Sequence, residues 1–173
     1  TKSKFHSNSA GNGGAIRFWD AKGDSSIVGC TFESNTAKGH SSYSEGGAMW
    51  ISLNSGSLEI TDTTYQSNHA NSAGAVYVEK GSVKFDSGIN FNANSADNGP
   101  NTLFASNSAT VTFSTCPLPI DIDPTTVTSN CNSVICNKGQ FKYRQNSCQT
   151  CPQGWYQDQN NQRSCKNDCN SGS

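Results

Sequence analysis

The sequence predicts an all-β protein: a parallel β-helix of about four coils over residues 1–116, a Pro/Thr-rich extended linker at 117–130 and a small disulfide-rich module at 131–173. Three observations predict it. A phrase rich in Asn, Ala and Gly recurs at the period of a solenoid, apolar residues inside each copy alternate with a period of two, and six of the eight cysteines crowd between Cys131 and Cys169.

The repeat is defined by the aromatics Phe5, Phe32, Tyr65 and Phe91, spaced by 27, 33 and 26 residues. Three residues after each comes an Asn (Asn8, Asn35, Asn68, Asn94), and two further an Ala (Ala10, Ala37, Ala70, Ala96). Fixed offsets at this period give each copy an equivalent place in a stack.

Three short strands per copy follow from the alternation. In GGAIRF, GGAMWIS and AGAVYVE, the residues Ile16 and Phe18, Met49 and Ile51, and Val76 and Val78 make one inward face. A second strand carries Leu58 and Ile60, then Val83 and Phe85, then Val111 and Phe113. A third ends on the aromatic, preceded two residues earlier by Cys30, Thr63 or Ile89, so Cys30 is expected to be a buried thiol.

Between strands, each repeated Asn is placed at a turn, where its side chain tolerates left-handed backbone and hydrogen-bonds along the stack to the next Asn. The pairs Gly13-Gly14 and Gly46-Gly47, reduced to Ala73-Gly74, let the chain bend into the next strand.

GGAI with an F-x-x-N phrase resembles the repeats of chlamydial polymorphic outer membrane proteins and of similar β-helical surface proteins, over about Phe5 to Phe113. The resemblance implies an extracellular, right-handed β-helix used for surface display and adhesion. No membrane barrel of that family's kind is visible in this sequence.

After Phe113 the pattern stops. STCPLPIDIDPTTVTSN holds three Pro, which disfavour helix and interior strand, so an extended linker or edge segment is expected. Thr125, Thr126 and Thr128 are candidate O-glycosylation sites, while no N-x-Ser/Thr sequon is present. The tail reads C-x4-C-x11-C-x2-C-x13-C-x3-C, and its density of Cys131, Cys136, Cys148, Cys151, Cys165 and Cys169 in a core-poor stretch points to disulfides and an oxidising compartment. Cys116 lies close enough to the tail to join them.

The C-x-x-C-P-x-G-x-Y phrase resembles ephrin-receptor-like and tumour-necrosis-receptor-like cysteine-rich repeats, over about Cys131 to Cys169. That implies a disulfide ladder, with matching turns at Gly139 to Phe141 and Gly154 to Tyr156 and with Cys136–Cys148 and Cys151–Cys165 preferred as local pairs. Connectivity stays open, as does zinc at Cys148 and Cys151, although no second close pair accompanies them.

Composition narrows the function. Mean hydropathy is −0.63 and net charge −1, so there is no basic stripe for nucleic acid and no highly charged, disordered composition. No apolar run approaches the roughly 18 residues of a membrane span and no signal sequence is visible. The chain opens at TKSKF, inside a repeat and without an initiator Met, and is expected to be a segment of a longer extracellular or cell-surface polypeptide.

Catalysis on a β-helix needs clustered carboxylates on one face. Asp20, Glu59, Asp62, Glu79 and Asp86 fall on scattered rows, Asp121 and Asp123 lack further calcium ligands, and His6, His40 and His69 are unpaired by any Ser, Cys or Asp pattern. No catalytic residue, metal or cofactor is therefore expected. The inward face places Arg17, Trp50 and Tyr77 outward on successive coils, a platform for sugar rings or a protein unless the loop from Lys38 to Glu45 covers it. The sequence thus predicts a non-enzymatic structural segment of a surface fibre, filament or coat, partnered by itself or neighbouring subunits. A carbohydrate-binding adhesin is the alternative, and a polysaccharide lyase or hydrolase relative ranks below it.

Overall fold

The fold was taken from a computed structural model, which describes residues 2–39 and 44–114 in full, and beyond them the backbone of five short strands. It is all-β, with no helix among the described residues, hence none long and apolar enough to cross a membrane.

Three parallel sheets organise the repeat, an arrangement compatible with a parallel β-solenoid. The aromatic strands β1 (Lys4–His6), β5 (Thr31–Glu33), β8 (Thr64–Gln66) and β11 (Asn90–Asn92) form the first, with Phe5, Phe32, Tyr65 and Phe91 in register. Two-residue strands just after each repeated Asn form the second: β2 (Ser9–Ala10), β6 (Thr36–Ala37), β9 (His69–Ala70) and β12 (Ser95–Ala96). The third runs through β3 (Ile16–Ala21), β7 (Met49–Thr61), β10 (Val76–Phe85), β13 (Leu103–Phe113) and β14 (Val127–Ser129), with β4 (Ser25–Val28) also on β7.

This corrects the expected strand plan. The first and second strands of a copy remain separate only as β3 and β4; in later copies they fuse into β7, β10 and β13, bent where the register shifts, as between Val78 and Lys80. The Asn corner, expected as a turn, carries the second sheet. Both differences arise because stacked neighbours on either side supply ladder partners that a local pattern cannot reveal.

The core is the set of inward columns: Met49, Ile51, Leu58, Ile60, Val76, Val78, Val83, Phe85, Leu103 and Val111 are fully buried. The aromatics stack nearly face to face, with centroids 4.8 Å apart for Phe5–Phe32, 5.1 Å for Phe32–Tyr65 and 4.9 Å for Tyr65–Phe91. These distances follow the strand spacing, since in-register rings inherit the roughly 4.8 Å repeat of the ladder.

Corner backbones are tight. At the Gly46 position the chain is left-handed, with φ of 61°, 66° and 56° at Gly13, Gly46 and Ala73, so Ala73 accepts a conformation costing a non-Gly residue roughly 1 kcal/mol. At the next position the constraint is contact: a Cβ on Gly47 would lie 2.1 Å from the Gly74 carbonyl oxygen of the neighbouring copy.

Cys30 departs from expectation. It shares a column with the buried Thr63 but is half-exposed, its thiol donating to the Val28 carbonyl at 3.6 Å as Thr63 does to Thr61 at 2.8 Å. Cys30 belongs to the first copy, with less of the stack around it.

Val127–Ser129, inside the expected linker, pairs as β14 with Val111–Phe113 of β13, so this segment is an edge strand. The tail is a separate unit with two antiparallel hairpins, β15 (Gln140–Tyr143) with β16 (Ser147–Thr150) and β17 (Trp155–Tyr156) with β18 (Lys166–Asn167). Phe141 and Tyr156, expected in turns, lie in strands because each hairpin needs them as ladder partners. Cys116, Cys131, Cys136, Cys151, Cys165, Cys169, Asp121, Asp123, Thr125 and Thr126 lie outside the described residues, as do the side chains of Thr128 and Cys148; the disulfide, zinc, calcium and glycosylation expectations fall there.

Candidate functional site

Two features stand out: a polar ladder inside the stack and an aromatic row outside it. The ladder joins the four repeated Asn. Asn8 donates from its backbone N and Nδ2 to Asn35 Oδ1 at 3.0 and 2.9 Å, Asn35 does the same to Asn68 at 3.0 and 2.9 Å, and Asn68 to Asn94 at 3.1 and 2.9 Å. The remaining Nδ2 hydrogen goes to the carbonyl of Phe5, Phe32 or Tyr65, each at 3.0 Å. Asn35 and Asn68 are fully buried, so these bonds satisfy groups that would otherwise be costly.

The left-handed residue is not the Asn but the one before it: Ser7, Ser34, Ser67 and Ala93 have φ between 51° and 56°. That kink turns the following N–H and side chain along the stack, so the amide donates upward twice.

On the outer face of the third sheet, Arg17, Trp50, Tyr77 and Phe104 are in register. Alternation placed the first three on one row, and of the two alternatives left open, an exposed platform or a covered row, Trp50 is covered, at only 2% exposed. Trp19 stacks on it at 5.5 Å, and the Arg17 guanidinium lies 4.4 Å from the Trp19 ring and 4.9 Å from the Trp50 ring. Trp50 Nε1 donates to Glu45 Oε2 at 3.0 Å. A mid-stack outward residue is thus flanked by its row neighbours, and Glu45 takes its indole N–H.

Glu45 is the residue that sequence reasoning missed. It ends the Lys38–Glu45 loop, whose extra length makes the Phe32–Tyr65 interval 33 residues rather than 27 or 26. Its backbone is held by Asn12 Oδ1, 3.1 Å from its N–H, and by a parallel bridge to Ser72. Its charge also bears on Tyr77: burial first, then Glu45 and Glu79, push the Tyr77 phenol up to about 12. One carboxylate therefore holds the Trp50 indole and raises the Tyr77 phenol of the next copy.

Tyr77 stacks on Phe104 at 5.0 Å, and the open part of this face is Trp19, 66% exposed, with the exposed Arg17 beside it. Trp19 was legible, two residues after Arg17 on the same alternating face.

The histidine reading is also corrected. His69 Nδ1 lies 3.0 Å from Ser95 Oγ and Nε2 lies 3.6 Å from Asp97 Oδ2, while His6 Nδ1 is 2.8 Å from Ser7 Oγ. Cross-copy stacking creates the first set, invisible at a separation of 26 residues. It does not make a nucleophile: Asp97 is largely exposed, and the Ser95 and Ala96 N–H groups are already bonded to Asn68 O and Asn101 Oδ1, so neither serves an oxyanion. Glu59 and Asp86 both face Lys84, at 2.7 and 3.5 Å, on an exposed surface. Among the described residues no three His, Cys, Asp or Glu side chains gather as a metal site.

Comparison with protein-family models, curated proteins and solved structures found no match to this chain.

Proposed function

We propose that this chain is a non-enzymatic, extracellular structural module, a right-handed parallel β-helix of about four coils with a disulfide-bonded tail, acting as a subunit of a surface fibre, filament or coat. One observation carries the reading. The rings Phe5, Phe32, Tyr65 and Phe91 and the amides Asn8, Asn35, Asn68 and Asn94 repeat one in-register contact from copy to copy. A stack whose copies join by one repeated contact takes further rungs by that same contact, from its own chain or from a neighbouring subunit. Contact of unlike ends repeats without closing and builds a filament.

The test is light scattering after size exclusion, with negative-stain imaging, on the full chain under non-reducing conditions across concentration and incubation time. Mass rising with concentration and linear particles are expected. Strict monomers throughout would sink the reading.

A second reading, a carbohydrate-binding adhesin, is favoured by Trp19, whose exposed indole lies parallel to Trp50, 16° between planes, with Arg17 beside it. Glycan-array binding lost in Trp19→Ala would support it; no glycan bound, or binding unchanged in Trp19→Ala, would remove it.

A further inference from the structure

The sequence holds two Asn–Gly pairs, Asn12–Gly13 and Asn98–Gly99, and both fall in the corner that leads into the third sheet. In such a pair the chain can react with its own side chain: the amide nitrogen of the second residue attacks the Asn Cγ, and glycine has no Cβ to obstruct the approach. Whether it does so depends on how firmly the fold holds the two groups.

The register of Ile16, Met49, Val76 and Leu103 aligns the four corners. Counting back from it, Asn12, Glu45, Ser72 and Gly99 share one place, and Asn98 stands with Asn71 one place earlier. At Asn12–Gly13 a single neighbour holds both reacting groups: Gly13 N donates to Glu45 O at 3.0 Å, and Asn12 Oδ1 accepts from Glu45 N at 3.1 Å. At Asn71–Ser72 both amides donate to Ser44 O, at 2.9 and 3.0 Å.

Asn98–Gly99 is held differently. Asn98 donates from its backbone N to Asn71 O at 2.7 Å and from Nδ2 to Asn71 Oδ1 at 2.8 Å, but the Gly99 N–H has no acceptor among the described residues. The carbonyl that matches Ser44 O is Asn71 O, inside the stack, and Gly99 does not bond it. Its φ is 131°, a backbone that favours glycine, and both Asn98 and Gly99 are exposed. Only the Nδ2 bond to Asn71 restrains the reacting side chain, and it is an exposed bond that water replaces at little net cost.

We propose that Asn98 is a modification site at which the chain deamidates itself in water. The Gly99 amide gives its proton to solvent hydroxide and its nitrogen bonds Asn98 Cγ; Nδ2 takes a proton from water and leaves as ammonia, closing a five-membered succinimide. Water then opens the ring at either carbonyl, giving aspartate or isoaspartate. No oxidant or reductant enters. The product alters the contact between the third and fourth copies, because a carboxylate oxygen replaces the Nδ2 donor opposite Asn71 Oδ1, next to the Asp97 carboxylate. The amides of Asp97 and Asn98, bonded to Ala70 O and Asn71 O, lose part of their hold.

The test incubates the full wild-type chain under non-reducing conditions in mildly alkaline buffer made with heavy-oxygen water, with parallel samples in urea, and follows each Asn by peptide mass spectrometry. Expected in the folded chain is conversion of Asn98 at least about tenfold faster than that of Asn12, with one heavy oxygen gained per conversion and isoaspartate among the products. In urea the two rates should approach each other to within about threefold, since the fold is what separates them. Equal rates in the folded chain overturn the site. A difference that persists undiminished in urea assigns it to local sequence and overturns the role of the corner. Aspartate without isoaspartate overturns the succinimide route. Hydrogen exchange completes the test: faster exchange at Asp97 and Asn98 in converted chains is expected, and unchanged exchange overturns the loosening of the corner.

Discussion

Asn35 and Asn68 are joined twice: the backbone N and the Nδ2 of Asn35 both donate to Asn68 Oδ1, at 3.0 and 2.9 Å, with both residues at 0% exposure. A single oxygen thus satisfies two donors of another copy, 33 residues away in sequence.

Asn68→Ala leaves the Asn35 N–H and one Asn35 Nδ2 hydrogen without their acceptor and removes the Asn68 Nδ2 donor from the Phe32 carbonyl. With roughly 1–3 kcal/mol per unsatisfied buried group and partial relaxation, a loss of about 3 kcal/mol is expected in urea unfolding. Asn8→Ala, at the exposed end, is expected to cost well under half of that. Equal costs would show that the ladder does not act as a buried network.

Gly47→Ala sets a methyl 2.1 Å from Gly74 O and 2.6 Å from His69 N, both backbone atoms that cannot turn aside. A loss of about 3 kcal/mol or more is expected. Gly11→Ala, with nothing within 4 Å and no positive φ, is the control, and thermal unfolding should place it within about 0.5 kcal/mol of the wild type.

The two tryptophans of the outer row should separate cleanly. Trp50→Ala removes a buried ring and leaves the Glu45 carboxylate without its indole donor, costing about 3–5 kcal/mol. Trp19→Ala loses only a stacking and cation–π contribution of about 1 kcal/mol. Denaturant midpoints of the two variants measure the difference, and comparable losses would mean that Trp19 is not a surface ring.

Tyr77, raised to about 12 against about 10 in the unfolded chain, makes the fold sensitive to alkali. A raised phenol favours the protonated native state, so its contribution is complete below pH about 10 and is lost as pH rises through about 12. Tyr65, buried against Met49 Sδ and raised by desolvation, acts in the same direction. Urea unfolding at stepped alkaline pH should decline less steeply in Tyr77→Phe, and the native tyrosinate absorbance change near pH 12 should diminish in that variant; a Tyr77 titrating near 10 contradicts burial of the phenol beside Glu45.

The sequence by itself determined the columns. Fixed offsets from Phe5, Phe32, Tyr65 and Phe91 named the ring stack and the Asn ladder, and a period of two sorted Met49 from Trp50, because a strand's faces and a solenoid's rungs are both written as local spacing. Only tertiary structure decided what each column meets. Trp50 faces outward yet is buried because Trp19, Arg17 and Glu45 arrive from other parts of the chain. His69 gains Ser95 and Asp97, the left-handed turn falls on Ser34 rather than Asn35, and Val127–Ser129 becomes a rung instead of a spacer. Stacking at about 4.8 Å joins residues some 26 to 33 positions apart, and contacts made across that separation carry no periodic signal of their own.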